Sequence, residues 1–463
     1  MEDTYAEFVA RKLVKVPPTG MENVPPLDAS LFPHQEALVR WALQRGRAAV
    51  FADTGLGKTR IQLEWARHVH AYTGRPIIIL APLAVAAQTV EEGASMGITV
   101  TECRDQSDVT GGINIINYER LHKIDTAPFA GVVLDESSII KHYESKTLAL
   151  LMAAFASTPW KLCATATPAP NDYTELGTHA EFLGICSRSE MLSEFFTHDG
   201  GETQKWRLKG HARDIYWEWV ATWAALVQKP SDLGFDDGGY LLPPYEVHQH
   251  VTATNQDEVA AMGRLFAPEA QTLMERRQAR KASIDSRVAK VAEIVNADQQ
   301  PWVVWCDLNA ESEALVRALS DAREVRGSQS IEEKESLLRG FAAGEYRVIV
   351  TKPSIAGFGL NWQHCSRMAF VGVTDSWEAY YQAVRRCWRF GQPRIVHVHV
   401  ISSEMEGAVV SNLLRKEEQA ERMSAELSAA TAAAVRNEII GQHRRTNAYV
   451  PHQILEVPSW LKS

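Results

Sequence analysis

The stretch "AVFADTGLGKTRIQLEWA" (residues 49–66) decides how the chain is read. A short apolar run leads into Ala52-x-x-Gly55-x-Gly57-Lys58-Thr59, and Ile61, Trp65 and Val69 then recur at helical spacing. A strand feeding a glycine-rich turn and then a helix is a phosphate cradle. The glycines let backbone N–H groups face the anion, and the helix N-terminus adds positive potential. Lys58 is placed to reach the β- and γ-phosphates, and the Thr59 hydroxyl to ligate a magnesium ion. Thr54, Gly55, Gly57 and Arg60 complete the expected nucleotide loop. The competing reading, a chance glycine-rich turn, does not account for the Lys-Thr pair at this position.

Working outward, the same grammar of short apolar strands alternating with helical patterns occurs twice, which argues for parallel α/β domains. The first region, about 30–185, contains "AAVFAD" (48–53), "PIIILAP" (76–82), "INIINY" (113–118), "GVVLDE" (131–136) and "WKLCATATP" (160–168). The second, about 285–402, contains "WVVWC" (302–306), "RVIVTK" (347–352), "RMAFVG" (367–372) and "VHVHVIS" (396–402). Near-continuous apolar runs are what strands buried on both faces require. Between the regions, 186–284 is rich in Trp, Gly and charge and is expected to be a mostly helical insertion. Residues 1–29 read as an N-terminal extension and 403–463 as a helical brace with a polar tail.

Composition sets the outer bounds. A chain of 463 residues can hold two or three cores. No apolar run reaches the roughly 18–20 residues of a membrane span, and the N-terminus lacks an apolar signal region. The six cysteines are scattered without a Cys-x-x-Cys pair, which suits reduced thiols in a cytosol. The formal charge of −9 is a weak guide to partners, because charges are screened over about 8–10 Å. Locally, "KWRLKGHAR" (205–213) and "ERRQARKASIDSRVAK" (275–290) are basic.

Further motifs fit the nucleotide loop. "GVVLDE" offers Asp135 to hold magnesium through water and Glu136 to orient and deprotonate an attacking water, on a strand expected beside that of the loop. "CATATPAPN" (163–171) ends another strand with Thr165 and Thr167, hydroxyls that can link a nucleotide site to a nucleic-acid track. In "SWEAYYQAVRRCWRFGQ" (376–392), Gln382, Arg386 and Arg389 stand four and three apart, the spacing of one helical face. An arginine reaching a γ-phosphate from a second lobe would make turnover depend on lobe closure. The alternating His397 and His399 fit a sheet face better than a metal pair, and Trp217, Trp219 and Trp223 fit a packed helix better than a stacking platform.

Together these motifs resemble helicase superfamily two, and within it the Swi/Snf type, including the compact versions of bacteriophages. "LFPHQEALVRWAL" (31–43) resembles the segment before the nucleotide loop, with Gln35 as the adenine-reading glutamine. "DESSIIKHYESK" follows Asp-Glu-x-x-x-x-Lys, with Lys141 as the lysine. "TATPAPN" resembles Thr-Gly-Thr-Pro-x-x-Asn, so Thr165, Thr167, Pro168 and Asn171 carry over. "AGFGLNWQHC" (356–365), with Gly357 and Gly359, resembles Gly-x-Gly-Leu-Asn-Leu, and "QAVRRCWRFGQ" resembles Gln-x-x-x-Arg-x-x-Arg-x-Gly-Gln. Ser137-Ser138 departs from the usual Ala-His or Gly-His and puts the coupling role of Ser138 in question. Ala166, Phe358 and Trp362 depart as well.

The resemblance implies two tandem RecA-like parallel-sheet lobes with an ATP cleft between them, and ATP-driven movement along double-stranded DNA with magnesium as cofactor. Forked or branched DNA and DNA-bound, replication or recombination proteins are the implied partners, in a host cytosol and not at a membrane. DNA contacts are expected from Pro82, Leu83 and Ala84, from Asn117, Tyr118 and Glu119, from Lys352, Pro353, Ser354 and Asn361, and from Lys205, Arg207 and Lys209. The alternatives are a strand-separating helicase acting on forked DNA or RNA, and an inactive DNA-binding or docking module. Against the latter, every motor residue named above is present.

Overall fold

The computed structural model describes residues 16–82, 85–169, 172–198, 206–240, 242–253, 280–356, 361–372 and 376–404, together with Arg415, Ser428, Arg436 and Ile439. Two parallel sheets dominate. The first contains β1 (Arg47–Ala52), β2 (Ile77–Ala81), β3 (Val100–Glu102), β4 (Ile113–Asn117), β5 (Gly131–Asp135), β6 (Trp160–Ala164) and β9 (Ala224–Val227). Its order is β3-β4-β2-β5-β6-β1-β9. A small antiparallel hairpin pairs β7 (Phe196–His198) with β8 (Trp206–Leu208).

The second sheet has the order β10-β15-β14-β11-β13-β12. Its strands are β10 (Tyr245–Thr252), β11 (Trp302–Trp305), β12 (Ala322–Glu324), β13 (Val348–Thr351), β14 (Arg367–Val371) and β15 (Val396–Ser403). In both sheets all strand pairs are parallel. Apolar clusters lie on both faces of each sheet. The expected arrangement of two α/β lobes is therefore present, and all nine expected strands form.

Among its described residues the intervening segment is not mainly helical. It supplies β9 to the first sheet and β10 to the second. The reason is chemical: "AALV" and "YEVHQHVT" are short strands at sheet edges, hidden in sequence by tryptophans and polar alternation. Trp217, Trp219 and Trp223 are all buried in the first lobe, the first two on the helix Arg213–Ala221 and Trp223 in the turn that leads into β9, so the expected helix holds only two of the three. Beyond Glu404, Arg436 donates to the Ser231 carbonyl (3.1 Å) and Ile439 packs on the first lobe's core, so these two residues lie against lobe one.

Helix boundaries follow local chemistry. The helix Lys58–Thr73 starts after Gly57 (φ 78°) and ends at Gly74 (φ 65°), both left-handed positions that glycine takes without a Cβ clash. Ser187 with Glu190, and Ser330 with Glu333, form capping boxes that start the helices Arg188–Phe195 and Ile331–Ala342.

Candidate nucleotide site between the lobes

Three strand ends of the first sheet build the lobe-one half of the site. The sheet register aligns Val50 with Ala164 and Ala164 with Asp135. Strand β5 is thus not beside β1, as the sequence reading expected; β6 lies between them. That places Thr165, the first residue after β6, between the nucleotide loop and the acidic pair.

The loop after β1 keeps Gly55 at φ 98° and Gly57 at φ 78°. A Cβ on Gly57 would strike the Gln35 amide nitrogen at 2.2 Å, and one on Gly55 would lie 2.9 Å from Phe390 of the second lobe. Both glycines are fixed by close approach as well as by φ. Gln35 braces the loop: its Oε1 accepts from the Phe32 N–H (3.0 Å) and its Nε2 donates to the Leu56 carbonyl (3.1 Å). Phe32, His34, Tyr240 and Phe390 form an aromatic wall beside it, with the Tyr240 and Phe390 rings stacked at 4.4 Å.

Lys58 Nζ donates to the Ala52 carbonyl (3.0 Å). Burial pushes the ammonium down from its ordinary pKa, while the charges of Glu136, Asp53 and Asp135 act the other way. Arg60 points elsewhere, to Ser30 Oγ (2.5 Å) and Glu92 (3.5 Å), so its side chain is tied outside the phosphate loop.

Asp135 is buried at the end of β5 and accepts from Gln62 Nε2 (2.6 Å), a residue of the loop's own helix that sequence reasoning missed. Its carbonyl accepts from Tyr118 Oη (2.7 Å). Burial, and then the neighbouring Glu136, raise the Asp135 carboxyl to about 6. Glu136 has φ 50° and ψ 53°, the only non-glycine with positive φ among the described residues. A left-handed glutamate costs on the order of 1 kcal/mol or more, and strain of this kind clusters at functional sites. It aims the carboxylate along the strand ends, where Thr165 Oγ1 donates to it (3.3 Å).

Lobe two contributes the helix Trp377–Val384 and the turn that follows. Gln382 lies on the helix, but Arg386 and Arg389 lie beyond its end, so the three do not share a helical face. The chain instead turns at Arg385, and the Trp362 N–H takes the Arg386 carbonyl (2.9 Å). Arg386 Nη2 donates to Gln382 Oε1 (3.2 Å). Burial pushes Arg386 down to about 10 and Arg389 to about 9, and the Arg389 charge acts on Lys58. Gln382 Nε2 is buried without a hydrogen-bond partner among the described residues. Converging buried cations, an unsatisfied amide N–H and strained glycines are what a polyphosphate would neutralise, so the residues fit a nucleoside triphosphate. Thr59 and Asp135 fit a hard cation that prefers oxygen ligands.

The lobes are joined at residues not anticipated from sequence. Asp53 accepts from Tyr381 Oη (2.6 Å) and pairs with Arg385 (2.7 Å), which also donates to the Thr54 carbonyl (2.7 Å). Across the cleft, Glu378 pairs with Lys141 and accepts from Thr167 Oγ1 (3.5 Å). The Thr167 N–H in turn donates to Thr165 Oγ1 (3.2 Å). A chain of contacts therefore runs from Glu136 through Thr165 and Thr167 to Glu378 and Lys141. Ser138, expected to couple, lines an inter-lobe cavity of about 500 Å³ with Pro82, Tyr118, Glu119, Lys141 and Ser354. Its neighbour Ser137 meets the buried His179 (3.1 Å).

The expected DNA-facing residues are placed unevenly. Ser354, Asn361 and Arg207 are exposed. Asn117 Oδ1 caps the Arg120 N–H (3.1 Å), Lys352 reaches Asn309 (2.7 Å), and Lys209 donates to the Ser193 and Glu194 carbonyls (2.9 and 2.7 Å) at a helix end. Each of those side chains has a partner within the protein, as has the Tyr118 hydroxyl. Leu83, Ala84, Asn171, Lys205, Gly357 and Gly359 lie outside the described residues.

Comparison with known proteins agrees with this geometry. Residues 286–391 match the helicase conserved C-terminal domain. A SWI/SNF-related matrix-associated actin-dependent regulator of chromatin subfamily A-like protein 1 from Bos taurus is 23% identical over 81% of this chain. Its Xenopus tropicalis counterpart is also 23% identical over 81%. The chain spans 42% and 43% of the length of these relatives. The second lobe thus carries a helicase conserved C-terminal domain, and over most of its length the chain is similar to SWI/SNF-related proteins.

Proposed function

We propose that the chain is a DNA-stimulated ATPase that moves along double-stranded DNA, or remodels protein–DNA complexes, by opening and closing its two lobes. The observation that carries this reading is the assembly of one site from both lobes: Lys58, Asp135 and Glu136 from the first, Gln382, Arg386 and Arg389 from the second. Lys58 and the loop N–H groups bind the β- and γ-phosphates of ATP. A magnesium ion held by Thr59 and Asp135 would, when bound, neutralise charge on those phosphate oxygens. Glu136 orients the attacking water and takes its proton, the Pγ–O bond to the ADP leaving group breaks, and Arg386 and Arg389 stabilise the charge that develops. The contacts from Glu136 through Thr165 and Thr167 to Glu378 give lobe position a route to that water.

Duplex DNA as the track is supported by the relatives' family and by the exposed Ser354, Asn361 and Arg207. Each phosphate contact on B-form DNA should steepen the salt dependence by about 0.9 in log–log slope. The test is ATP hydrolysis measured side by side with blunt duplex, single-stranded, forked and four-way junction DNA. Strong stimulation by blunt duplex with poor unwinding of forks is expected. Robust unwinding without duplex stimulation would favour strand separation, with the hairpin β7–β8 as the wedge, and no DNA-stimulated phosphate release would favour a docking module. Glu136→Gln should bind ATP and DNA yet turn over about 10²- to 10⁴-fold more slowly, the scale of general-base catalysis. Normal turnover by that variant would remove Glu136 from the mechanism.

A further inference from the structure

Away from the ATP cleft, the edge of the second sheet carries four imidazoles and a carboxylate on two paired strands. The parallel register of β10 and β15 sets Glu246 against His397 and His248 against His399. All these side chains leave the same face, because residues two apart on a strand share a face. His248 Nε2 lies 3.2 Å from His397 Nδ1, His397 Nδ1 lies 3.3 Å from Glu246 Oε2, and His248 Nε2 lies 3.7 Å from the same oxygen. The three side chains are 50%, 39% and 30% exposed for Glu246, His248 and His397, so solutes reach them. A second pair, His250 and His399, sits alongside at 3.0 Å.

We infer that Glu246, His248 and His397 form a binding site for a divalent transition metal of the zinc class. The triangle of donor atoms decides this. Ligands at about 2.0–2.1 Å from a tetrahedral zinc stand about 3.3–3.4 Å from one another; the edges of 3.2 and 3.3 Å match that spacing, and the third, 3.7 Å, closes to it with a small turn of the exposed Glu246 carboxylate. Two imidazoles and one carboxylate are also the donor set that favours zinc, nickel or cobalt over magnesium, which prefers oxygen alone. The fourth corner opens to solvent. Binding requires His248 Nε2 and His397 Nδ1 to present lone pairs, so the hydrogen one of them now carries between the rings moves to that ring's other nitrogen. His399 stacks on the His248 ring at 4.7 Å and His250 stacks on His399 in turn, which supports the ring plane of His248.

The site ties β10 to β15, and β10 is the first strand the chain lays into lobe two after leaving lobe one. A metal there would fasten the point where the chain crosses between lobes. This is independent of the ATP site, whose magnesium ligands lie on the other sheet.

The experiment is calorimetric titration of the chelator-treated full chain with zinc chloride, in excess magnesium and without nucleotide. The expected result is uptake of one equivalent, together with a rise in melting temperature. The variants His248→Ala, His397→Ala and Glu246→Gln should each weaken uptake about 10- to 100-fold, the scale on which metal sites respond to lost supporting groups. His122→Ala, at an exposed histidine elsewhere, should bind as the parent does. Cobalt substituted for zinc should give tetrahedral visible bands that vanish in the His248→Ala/His397→Ala double variant. Metal-free melting curves show whether each variant is folded, and a folded double variant that still takes up zinc like the parent overturns the proposal. So does a parent chain that takes up no zinc.

Discussion

Besides an exposed pair between Arg339 and Glu91, the lobes meet at two largely buried carboxylates among the described residues, and these two contacts are mirror images in chemistry. On the nucleotide side the acid, Asp53, belongs to lobe one, and Tyr381 and Arg385 of lobe two hold it. On the far side of the cleft the acid, Glu378, belongs to lobe two, and Lys141 and Thr167 of lobe one hold it. They differ in environment. Arg385 is only 4% exposed against 26% for Asp53, whereas Lys141 and Glu378 are alike at 15% and 14%. They differ more in what they adjoin. Asp53 begins the glycine-rich loop, so on the proposed function the first contact adjoins the nucleotide. Glu378 is two hydroxyls away from Glu136, so on the same proposal the second would report lobe position to the residue that orients water. One contact should set how tightly ATP holds the lobes together, the other how strongly lobe closure speeds hydrolysis.

The largest effect should come from residues both contacts exist to position. Arg386→Ala and Arg389→Ala are each expected to lower ATP turnover by about 10³- to 10⁵-fold while nucleotide binding persists. Steady-state phosphate release alongside equilibrium ATP binding checks this. If either variant kept its rate within tenfold, that arginine would not stabilise the transferring phosphoryl group, and lobe closure would matter only for binding.

That such residues could be found in sequence, while their clamps could not, has a physical reason. The nucleotide loop, Asp135 and Glu136 are local patterns: a glycine-rich turn before a helix, and acids at the end of an apolar strand. The nine long strands were legible for the same reason, since burial on both faces leaves an unbroken apolar run. Asp53, Glu378, Tyr381 and Arg385 acquire their roles only from partners some two hundred or more residues away, and no period marks them. Arg385 stood beside Arg386 in a doubled arginine, a hint that one of the two faces a different partner. Tyr118 and Asn117 mislead in the opposite sense: a polar strand end looks like a surface, yet the tyrosine hydroxyl supports Asp135 and the asparagine caps a turn. Strand β10 was missed because it alternates in exposure, and β9 because its short apolar run continues directly from the Trp-rich helix before it.

The nucleotide-side contact can be isolated by a double-mutant cycle. Asp53→Asn and Arg385→Ala should each weaken apparent ATP affinity, and the double variant should lose less than the sum. Contacting residues in one ion-pair network couple by roughly 0.5–3 kcal/mol, and the buried guanidinium puts this pair in the upper part of that range. Additive losses would mean that the pair is a bystander of a fixed inter-lobe geometry.

The far-side contact should give the smallest effect and the most specific one. Glu378→Gln keeps the size of the side chain and a hydrogen-bond acceptor for Thr167, but removes the charge that holds Lys141. One charge-assisted bond, part-exposed, is worth roughly a three- to tenfold change in rate. That change should fall on DNA-stimulated hydrolysis alone, leaving basal hydrolysis and ATP affinity as in the parent. Lys141→Met should reproduce it, and combining the two should add little, because both remove the same pair. Equal losses of basal and stimulated rates would place Glu378 with the nucleotide-side contact, and the division of labour between the two carboxylates would fail. A selective loss would put the coupling path through Glu378, Thr167 and Thr165.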